Sequence, residues 1–547
     1  MTKHLKQNSL LAPAIAIQLA ISLIAFAAAP QAQAQIAATG TTANSSALPN
    51  LGDGTDMTPN VERRLGDRIA RELYRDPDYV DDAVLMEYVQ GIWQPLLAAA
   101  RQRGELPPEQ DEAYAWEILL GRDRSVNAFA LPGAYFGLHL GLVGIVSSRD
   151  ELASVLAHEL SHVTQRHIAR MMTRQSQQAP WMLGAMILGV LAASKDPSAA
   201  NAVIMGSQAA AAQGQLNFSR DMEREADRVG FAISTQAGFA QQGFVTMFGK
   251  LQQASRLNDS GNFPYLRSHP LSTERMADMQ SRIELPDAVA PAPPTARKNV
   301  QETDHSMMAA RARVLSNYTV DALRTWAVEV EPANLARATP AQQAASLYGA
   351  TLAAIKLRDY KDAQIQWLRL SDSVRSDPVA SRLARLLGVE LRLAQGDGAA
   401  AWALLQSGAK LQKKKSRAEV FLAAQAQLQQ SVAGLAVAAA PGKDPVGSLA
   451  TTTQQLQIWV ADHPRDAQAW QLLSSTYAGE GRTLSAIRAQ AEVNVAQLDY
   501  PAALSRFKTA QEWARKGGAG TDHFEASIVD TRTRQVESTV REQALER

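Results

Sequence analysis

The chain of 547 residues contains no cysteine. Disulfide bonds, zinc sites built from thiolates and lipid anchors attached through cysteine are therefore excluded, and any metal site has to use histidine and carboxylate ligands. Charge of one sign is lacking as well: the formal net charge is +1, and the nearest approach to a basic block is the three lysines at 413–415. A run this short is typical of a solvated surface, so the composition argues against a nucleic-acid-binding protein.

Apolar runs that approach membrane-spanning length are restricted to the amino terminus. Lys3 and Lys6 precede an apolar stretch at 10–29, and Ala-Gln-Ala at 32–34 provides a small-x-small cleavage site. We expect residues 1–34 to be a cleavable signal peptide that directs export of the chain, with no transmembrane segment in the mature chain. An uncleaved membrane anchor is the alternative, because the run is almost long enough to cross a bilayer.

The most informative motif is His-Glu-x-x-His, formed by His158, Glu159 and His162. Ser148 and Glu151 form a capping-box pair before it, and no proline or glycine interrupts the run, so the sequence predicts a helix. On a helix the two imidazoles lie one turn apart and can bind one metal ion, with Glu159 beside them to take a proton from a water molecule that the metal activates. The motif predicts a zinc hydrolase; a surface helix with two solvated histidines is the alternative.

A third ligand has to come from further along the chain. The metzincin pattern fails, because position 168 is Ile168 and Gln165 stands where that pattern has glycine. Between His162 and position 221 the only acidic residue is Asp196. The ligand should therefore lie in the acidic cluster at 221–227.

That cluster is predicted to form a second helix. Glu223, Asp227 and Gly230 share one face of it, so Glu223 could ligate, Asp227 could orient an imidazole and Gly230 could allow close approach. Helical geometry alone does not exclude Glu225. A solvated face whose carboxylates pair with neighbouring arginines is the structural alternative.

The segments before the motif suggest the fold class. Helical patterns cover about 61–73 and 82–100, and extended patterns at 114–120 and 125–131 predict a small sheet before the motif helix. This order favours an α+β fold in which a sheet edge near the metal can hold an extended peptide. His139 follows these extended segments and is expected to be a strand residue rather than a ligand.

Three segments together resemble the CAAX-prenyl-protease-like family of gluzincins. They are the motif helix, Glu-Arg-Glu-Ala-Asp at 223–227, and Val-Asn-Ala-Phe-Ala-Leu-Pro-Gly at 126–133. Periplasmic members with tetratricopeptide repeats are similar along most of the length. The resemblance implies one Zn²⁺ per chain, bound by His158, His162 and Glu223, with Glu159 as the base.

The resemblance also implies roles for residues outside this set. Asp227 would support catalysis or donate a proton, and His269, in Ser-His-Pro-Leu-Ser at 268–272, would be a regulatory fourth ligand that keeps the site closed. The alternative for His269 is a turn residue before a proline. The substrate edge strand would comprise Asn127, Ala128, Phe129 and Ala130. The chain lacks the cysteines found in similar members, so redox control of its repeats is in doubt.

The second half of the chain reads as helical repeats. Trp470, Leu473 and Tyr477 have tetratricopeptide spacing, and Ala503 and Phe507 match the second half of such a repeat. A generic helical bundle is the alternative. The expected organisation is a mostly helical zincin domain with a small β-sheet followed by an all-α repeat domain: signal peptide 1–34, disordered leader 35–57, zinc metalloprotease domain 58–285, Pro/Ala-rich linker 286–300 and tetratricopeptide-like domain 301–547.

By resemblance, the chain would be a periplasmic zinc endopeptidase with chaperone activity in the quality control and assembly of outer-membrane β-barrel proteins. Its partners would be the β-barrel assembly machinery and stalled or misfolded outer-membrane proteins. The alternative is a chaperone or assembly adaptor whose repeats carry the function and whose zinc site is latent.

Overall fold

The computed structural model describes residues 57–174, 220–256, 263–283, 303–408, 415–432, 448–516 and 522–545. The expected signal peptide, almost all of the leader and the expected linker lie outside these ranges. Within them, no helix has both the length and the apolar character needed to cross a membrane.

One mixed sheet lies in the amino-terminal half. Its strands are β1 (Tyr79–Val80), β2 (Glu117–Gly121), β3 (Ala128–Leu131) and β4 (Tyr135–His139), in the spatial order β1-β2-β4-β3. The β2–β4 pair is parallel, and β1–β2 and β3–β4 are antiparallel. The predicted strand at 114–120 begins later than expected, because Tyr114 is the C-cap of a short helix.

Ten helices surround this sheet in the described part of the amino-terminal half. They are α1 (Pro59–Arg75), α2 (Ala83–Gln102), α3 (Pro108–Ala113), α4 (Leu140–Ile145), α5 (Arg149–Thr164), α6 (His167–Arg174), α7 (Arg220–Gln236), α8 (Gln242–Arg256), α9 (Tyr265–Ser268) and α10 (Thr273–Ser281). The two predicted helices at 61–73 and 82–100 correspond to α1 and α2. Asp82 begins α2, where its carboxylate accepts a hydrogen bond from Leu85 N at 2.8 Å.

Helix α5 carries the His-Glu-x-x-His motif and is the most enclosed helix of this half. Every residue from Glu151 to Thr164 is buried, because α2, β3, α7 and α8 pack around the helix. Ser148 caps it by accepting from Glu151 N at 3.2 Å, but the Glu151 carboxylate accepts from Ser147 N and not from Ser148 N. Half of the predicted capping box therefore forms, and the motif histidines lie inside the protein, which removes the alternative of a solvated surface helix.

The carboxy-terminal half is helical throughout its described residues, as the sequence predicts. Its helices are α11 (Thr303–Ser316), α12 (Val320–Glu329), α13 (Pro332–Leu335), α14 (Pro340–Leu357), α15 (Tyr360–Ser373), α16 (Pro378–Ala394), α17 (Gly398–Gly408), α18 (Arg417–Val432), α19 (Leu449–Asp462), α20 (Ala467–Gly479), α21 (Thr483–Ala496), α22 (Tyr500–Arg515) and α23 (His523–Leu545). From α14 onward each helix packs against the next. The residues of the repeat spacing, Trp470, Leu473, Tyr477, Ala503 and Phe507, are buried in these contacts. Their assignment to tetratricopeptide repeats stays a prediction.

The two halves share a hydrophobic core that contains residues of α2, α5, the sheet, α11, α14 and α16. Three acidic residues at the start of α2 and just before it form ion pairs with arginines of three carboxy-terminal helices. The pairs are Asp81–Arg417 at 2.8 Å, Asp82–Arg311 at 2.7 Å and Glu87–Arg382 at 2.8 Å. Helix α2 is thus the element on which the carboxy-terminal helices are fixed.

Replacing Arg311 tests this attachment. Its side chain is 5% exposed and also contacts Glu390 at 2.9 Å. In Arg311→Leu two partly buried carboxylates lose a buried cation, so we expect a loss of about 3 kcal/mol in unfolding free energy, measured by urea denaturation. Arg375→Leu is the matched control, because the Arg375–Asp372 pair is exposed and its loss should cost no more than about 0.5 kcal/mol. Equal effects of the two substitutions would contradict the structural role of Arg311.

Candidate metal centre

Four buried side chains each bring one donor atom to a common point. His158 and His162 come from α5, Glu223 from α7 and His269 from the residue that follows α9, and their donor atoms all lie within 4.8 Å of one another. The structure therefore brings together the predicted ligand residues and the predicted regulatory histidine, although they are far apart in sequence.

The donor set fits zinc. His158 Nε2 lies 3.0 Å from His162 Nε2 and 3.3 Å from His269 Nδ1. Glu223 Oε1 lies 3.1 Å from His269 Nδ1 and 3.5 Å from His162 Nε2. Ligand atoms about 2.0–2.1 Å from a tetrahedral zinc ion stand about 3.3 Å apart, so these spacings match the edges of such a tetrahedron. Imidazole and carboxylate are also ligands that zinc accepts.

The protonation of the ligands reflects their surroundings. Burial acts to raise the pKa of Glu223, but His269 and His158 hold it well below its usual range. Burial and the neighbouring His158 lower the pKa of His162. Burial also acts to lower the pKa of His158, but its hydrogen bonds to Asp227 and Glu223 raise it to about 10. Glu223 is thus ionised and His162 is neutral, which are the forms that bind a metal. A metal that binds His158 has to displace a proton from its ring.

Asp227 supports His158 from behind. Its Oδ1 lies 2.9 Å from His158 Nδ1, and both of its oxygens accept hydrogen bonds from Arg275, at 2.6 and 2.8 Å. Burial acts to raise the pKa of Asp227, but Arg275 and His158 outweigh it, so the carboxyl is ionised. An ionised carboxylate engaged on both oxygens fits the orienting role that the spacing predicts, and this geometry does not favour the proton donor that the resemblance implies.

His162 is supported by a residue that the sequence analysis missed. Its Nδ1 lies 2.8 Å from Nδ1 of His167, whose Nε2 lies 3.1 Å from Glu225 Oε2. Glu225 also accepts from Arg170 at 2.9 Å and lies outside the donor set, whereas Glu223 lies within it. The sequence does show a histidine five residues after the second motif histidine. Its role could not be predicted, because its partner Glu225 is identified only by the fold.

Glu159 lies between the donor set and the edge of the sheet. Its Oε2 accepts a hydrogen bond from Ala130 N at 3.0 Å. Strand β3 is an edge strand, and because His139 N donates to Asn127 O, the N–H and C=O groups of Ala128 and Ala130 face away from β4. The residues proposed for substrate binding, Asn127, Ala128, Phe129 and Ala130, thus lie at or beside a strand edge next to Glu159. His139 is the last residue of β4 and lies outside the donor set, as predicted.

Comparison with known proteins identifies the domain that this site belongs to. Residues 88–283 match the family model described as peptidase family M48. The matched range contains all four residues of the donor set. Peptidases of this family use zinc, and the four-residue donor set can hold it.

Three bacterial relatives show how far the similarity extends. A Vibrio cholerae protein with the provisional name beta-barrel assembly-enhancing protease is 33% identical over 58% of this chain and 62% of its own length. The beta-barrel assembly-enhancing protease of Escherichia coli K12 is 29% identical over 58% of this chain and 61% of its own. That of Yersinia pestis is 25% identical over 88% of this chain and 90% of its own. The chain thus spans about three fifths of the first two relatives.

His269 adds the fourth donor from the residue that follows α9. Its ring stacks on Tyr265, with centroids 4.6 Å apart, and Tyr265 N donates to Val126 O at 3.3 Å. While His269 Nδ1 faces the donor set, His269 Nε2 lies 3.4 Å from Glu159 Oε1. The histidine therefore contacts both the metal-binding residues and the motif glutamate.

Gly230 sets the distance between the two helices of the M48 site. A Cβ atom at this position would lie 3.0 Å from the carbonyl carbon and oxygen of Ala157 and 3.1 Å from His158 N. These are backbone atoms of α5, which cannot turn aside as the end of a side chain can. The close approach expected of Gly230 is confirmed, and it allows Glu223 and Asp227 to reach the histidines.

A larger residue at this contact should separate α5 from α7. We expect Gly230→Val to lower the unfolding free energy by about 2–3 kcal/mol through overpacking, and to weaken zinc binding measured by chelator competition. Gly249→Val in α8 is the matched control, since it places the same residue in a helix where nothing lies within 4 Å of the added Cβ. If both variants bind zinc equally well, the spacing of these helices does not control the site.

Proposed function

We propose that the chain is a periplasmic zinc-dependent endopeptidase that acts in the quality control and assembly of outer-membrane β-barrel proteins. The observation that carries the proposal is the buried donor set of His158, His162 and Glu223 with Glu159 beside it at a strand edge. The M48 match supports peptide hydrolysis, and the names of the relatives support the class of client.

In this proposal His158, His162 and Glu223 hold one Zn²⁺. When bound, zinc supplies Lewis-acid chemistry that polarises the scissile carbonyl and makes a water molecule a better nucleophile. Glu159 takes the proton from the attacking water and returns it to the leaving amine. Asp227 holds His158 in the orientation that presents Nε2 to the metal, and Arg275 keeps Asp227 ionised.

The outer edge of β3, where Glu159 accepts from Ala130 N, would position the substrate once that contact is released. Ala128 and Ala130 direct their N–H and C=O groups away from β4, so an extended peptide can add to the sheet there with its backbone next to Glu159. A folded protein cannot offer such a segment without local unfolding. Stalled or misfolded outer-membrane proteins, whose strands are not yet paired, meet this requirement.

His269 is proposed as a regulatory fourth ligand. Four protein donors make a closed site, whereas a catalytic zinc keeps one position open for water or substrate. Here His269 supplies the fourth donor, its Nε2 lies 3.4 Å from Glu159, and Glu159 in turn occupies Ala130 N of the edge strand. His269 thus contacts the metal-binding residues and the base, and the base contacts the substrate edge. Displacement of His269 is therefore required before a peptide can be cleaved.

The remaining parts of the proposal concern location and partners. The amino-terminal pattern supports export by a cleaved signal peptide, and the relatives' names support work on β-barrel assembly. The carboxy-terminal helices would form tetratricopeptide repeats that dock on the assembly machinery. By binding an extended client, they would also act as a chaperone.

An adaptor function is the second candidate, and the closed donor set is the observation that favours it. With His269 among the metal-binding residues, the site would hydrolyse little and the helices would carry the function. The two candidates differ in whether Glu159 is needed for the processing of clients.

Glu159→Gln separates these candidates. The amide keeps an oxygen that can accept from Ala130 N but cannot act as a base, so we expect at least about a 100-fold loss of peptide hydrolysis with zinc content unchanged. Hydrolysis of an unfolded outer-membrane protein and bound zinc are both measured, with Glu109→Gln at an exposed site as the control. Unchanged hydrolysis would refute the assignment of Glu159 as base, and normal client assembly with hydrolysis lost would favour the adaptor.

His269→Ala tests the latch. If the closed form predominates, removal of the His269 imidazole should populate the open form and raise kcat/KM for peptide hydrolysis about tenfold or more. Zinc affinity should fall, because one ligand is gone. An ordinary structural ligand would lower both quantities. His463→Ala, at an exposed position, serves as the control and should change neither.

A further inference from the structure

The two motif histidines are supported in different ways. Behind His158 stands a carboxylate, Asp227, at 2.9 Å. Behind His162 stands a second imidazole, His167, whose Nδ1 lies 2.8 Å from Nδ1 of His162. His167 has 0% exposure, and its other ring nitrogen lies 3.1 Å from Glu225.

We propose that His167, held by Glu225, is a positioning residue that fixes the tautomer and orientation of His162 at the metal. The inference deepens the proposed function and rests on its zinc site. The hydrogen bonds of His167 and Glu225 lead to the donor set through His162, so a positioning effect passes through that ring.

The direction of each hydrogen bond follows from the metal end. Because His162 presents Nε2 to the donor set, its Nδ1 carries the hydrogen and donates to His167 Nδ1. His167 then has its own hydrogen on Nε2 and donates it to Glu225. For neutral imidazoles and an ionised Glu225, the chain His162–His167–Glu225 satisfies these ring nitrogens in only one arrangement of hydrogens, and that arrangement leaves the lone pair of His162 Nε2 directed at the other donor atoms.

The backbone between the two histidines is built for this contact. Helix α5 ends at Thr164, and Arg166 has a positive φ of 52° before α6 begins at His167. A left-handed conformation costs a non-glycine residue about 1 kcal/mol or more. At Arg166 this conformation turns the chain between α5 and α6. The His167 and His162 ring centroids lie 4.9 Å apart, and the ring planes meet at 72°.

The outer end of the chain lies near the surface. The Glu225 side chain is 27% exposed and accepts a hydrogen bond at 2.9 Å from Arg170, which is 44% exposed. Glu225 thus orients His162 through His167, whereas Asp227 orients His158 directly. Loss of such outer partners usually lowers metal affinity about 10- to 100-fold.

The test uses the full chain and measures zinc affinity by competition with a chelator. His167→Leu removes the acceptor for His162, so we expect zinc to bind about 10- to 100-fold more weakly. His167→Asn can place its side-chain oxygen where Nδ1 stood, and its affinity should stay within about fivefold of the original. The absorption spectrum of the Co²⁺-loaded protein should change in His167→Leu and be restored in His167→Asn.

Glu225→Ala adds a second, independent arm. It should weaken zinc binding in the original background but have no further effect in the His167→Leu background, because the carboxylate acts only through the imidazole. His305→Leu is the control for loss of a buried histidine: His305 bonds Tyr88 and Val146 and lies outside the donor set, so zinc affinity should not change.

The outcomes separate this inference from the proposed function. If the original chain binds no zinc, both are overturned. If it binds zinc and both His167→Leu and Glu225→Ala bind equally well, only the positioning role is overturned. A His167→Asn variant as weak as His167→Leu, together with additive effects of Glu225→Ala, would also overturn it, because the residue would then act by packing. Should His167→Leu fail to fold, Glu225→Ala and His167→Asn still decide the question.

Discussion

The metal site depends on the contact between α5 and α7 at Gly230. Because this glycine lets the two helices meet at their backbones, two carboxylates of α7 reach the histidines of α5 and a third reaches His167 of α6. Glu223 joins the donor set, Asp227 contacts His158, and Glu225 contacts His162 through His167. One helix therefore supplies a ligand and both outer supports, and a shift of α7 would disturb all three at once.

Burying this many ionisable groups is costly unless each has a partner, and Arg275 meets that need on the α7 side. It binds Asp227 with two hydrogen bonds and lies 2.9 Å from Glu223. It also donates to Pro270 O at 2.8 Å, next to His269. The segment carrying His269 is thus held on both sides, by Tyr265 at one end and by Arg275 at the other. Displacement of the histidine therefore has to break contacts that also stabilise the ligand carboxylate.

The sequence predicted what local geometry determines. His158, Glu159 and His162 are within one turn of a helix, so their spacing alone places them together. The choice between Glu223 and Glu225 could not be made from periodicity, because both flank the same buried stripe and only the neighbours of α7 separate them. Arg275 and His167 were missed for a related reason: one lies in a short helix, the other after a left-handed residue, and neither follows a repeating pattern.

Composition also marked a linker at 286–300, but a change in composition does not mean a change in packing. Helix α2 contacts α5 and α7 on one side and α11 and α18 on the other, and residues 55–547 form one compact unit. Moving the carboxy-terminal helices away from the metal site would expose a shared apolar core and separate ion pairs such as Asp82–Arg311, in which Arg311 is buried. Each such separation costs several kcal/mol. The carboxy-terminal helices therefore hold a fixed position relative to the metal site and the strand edge beside it.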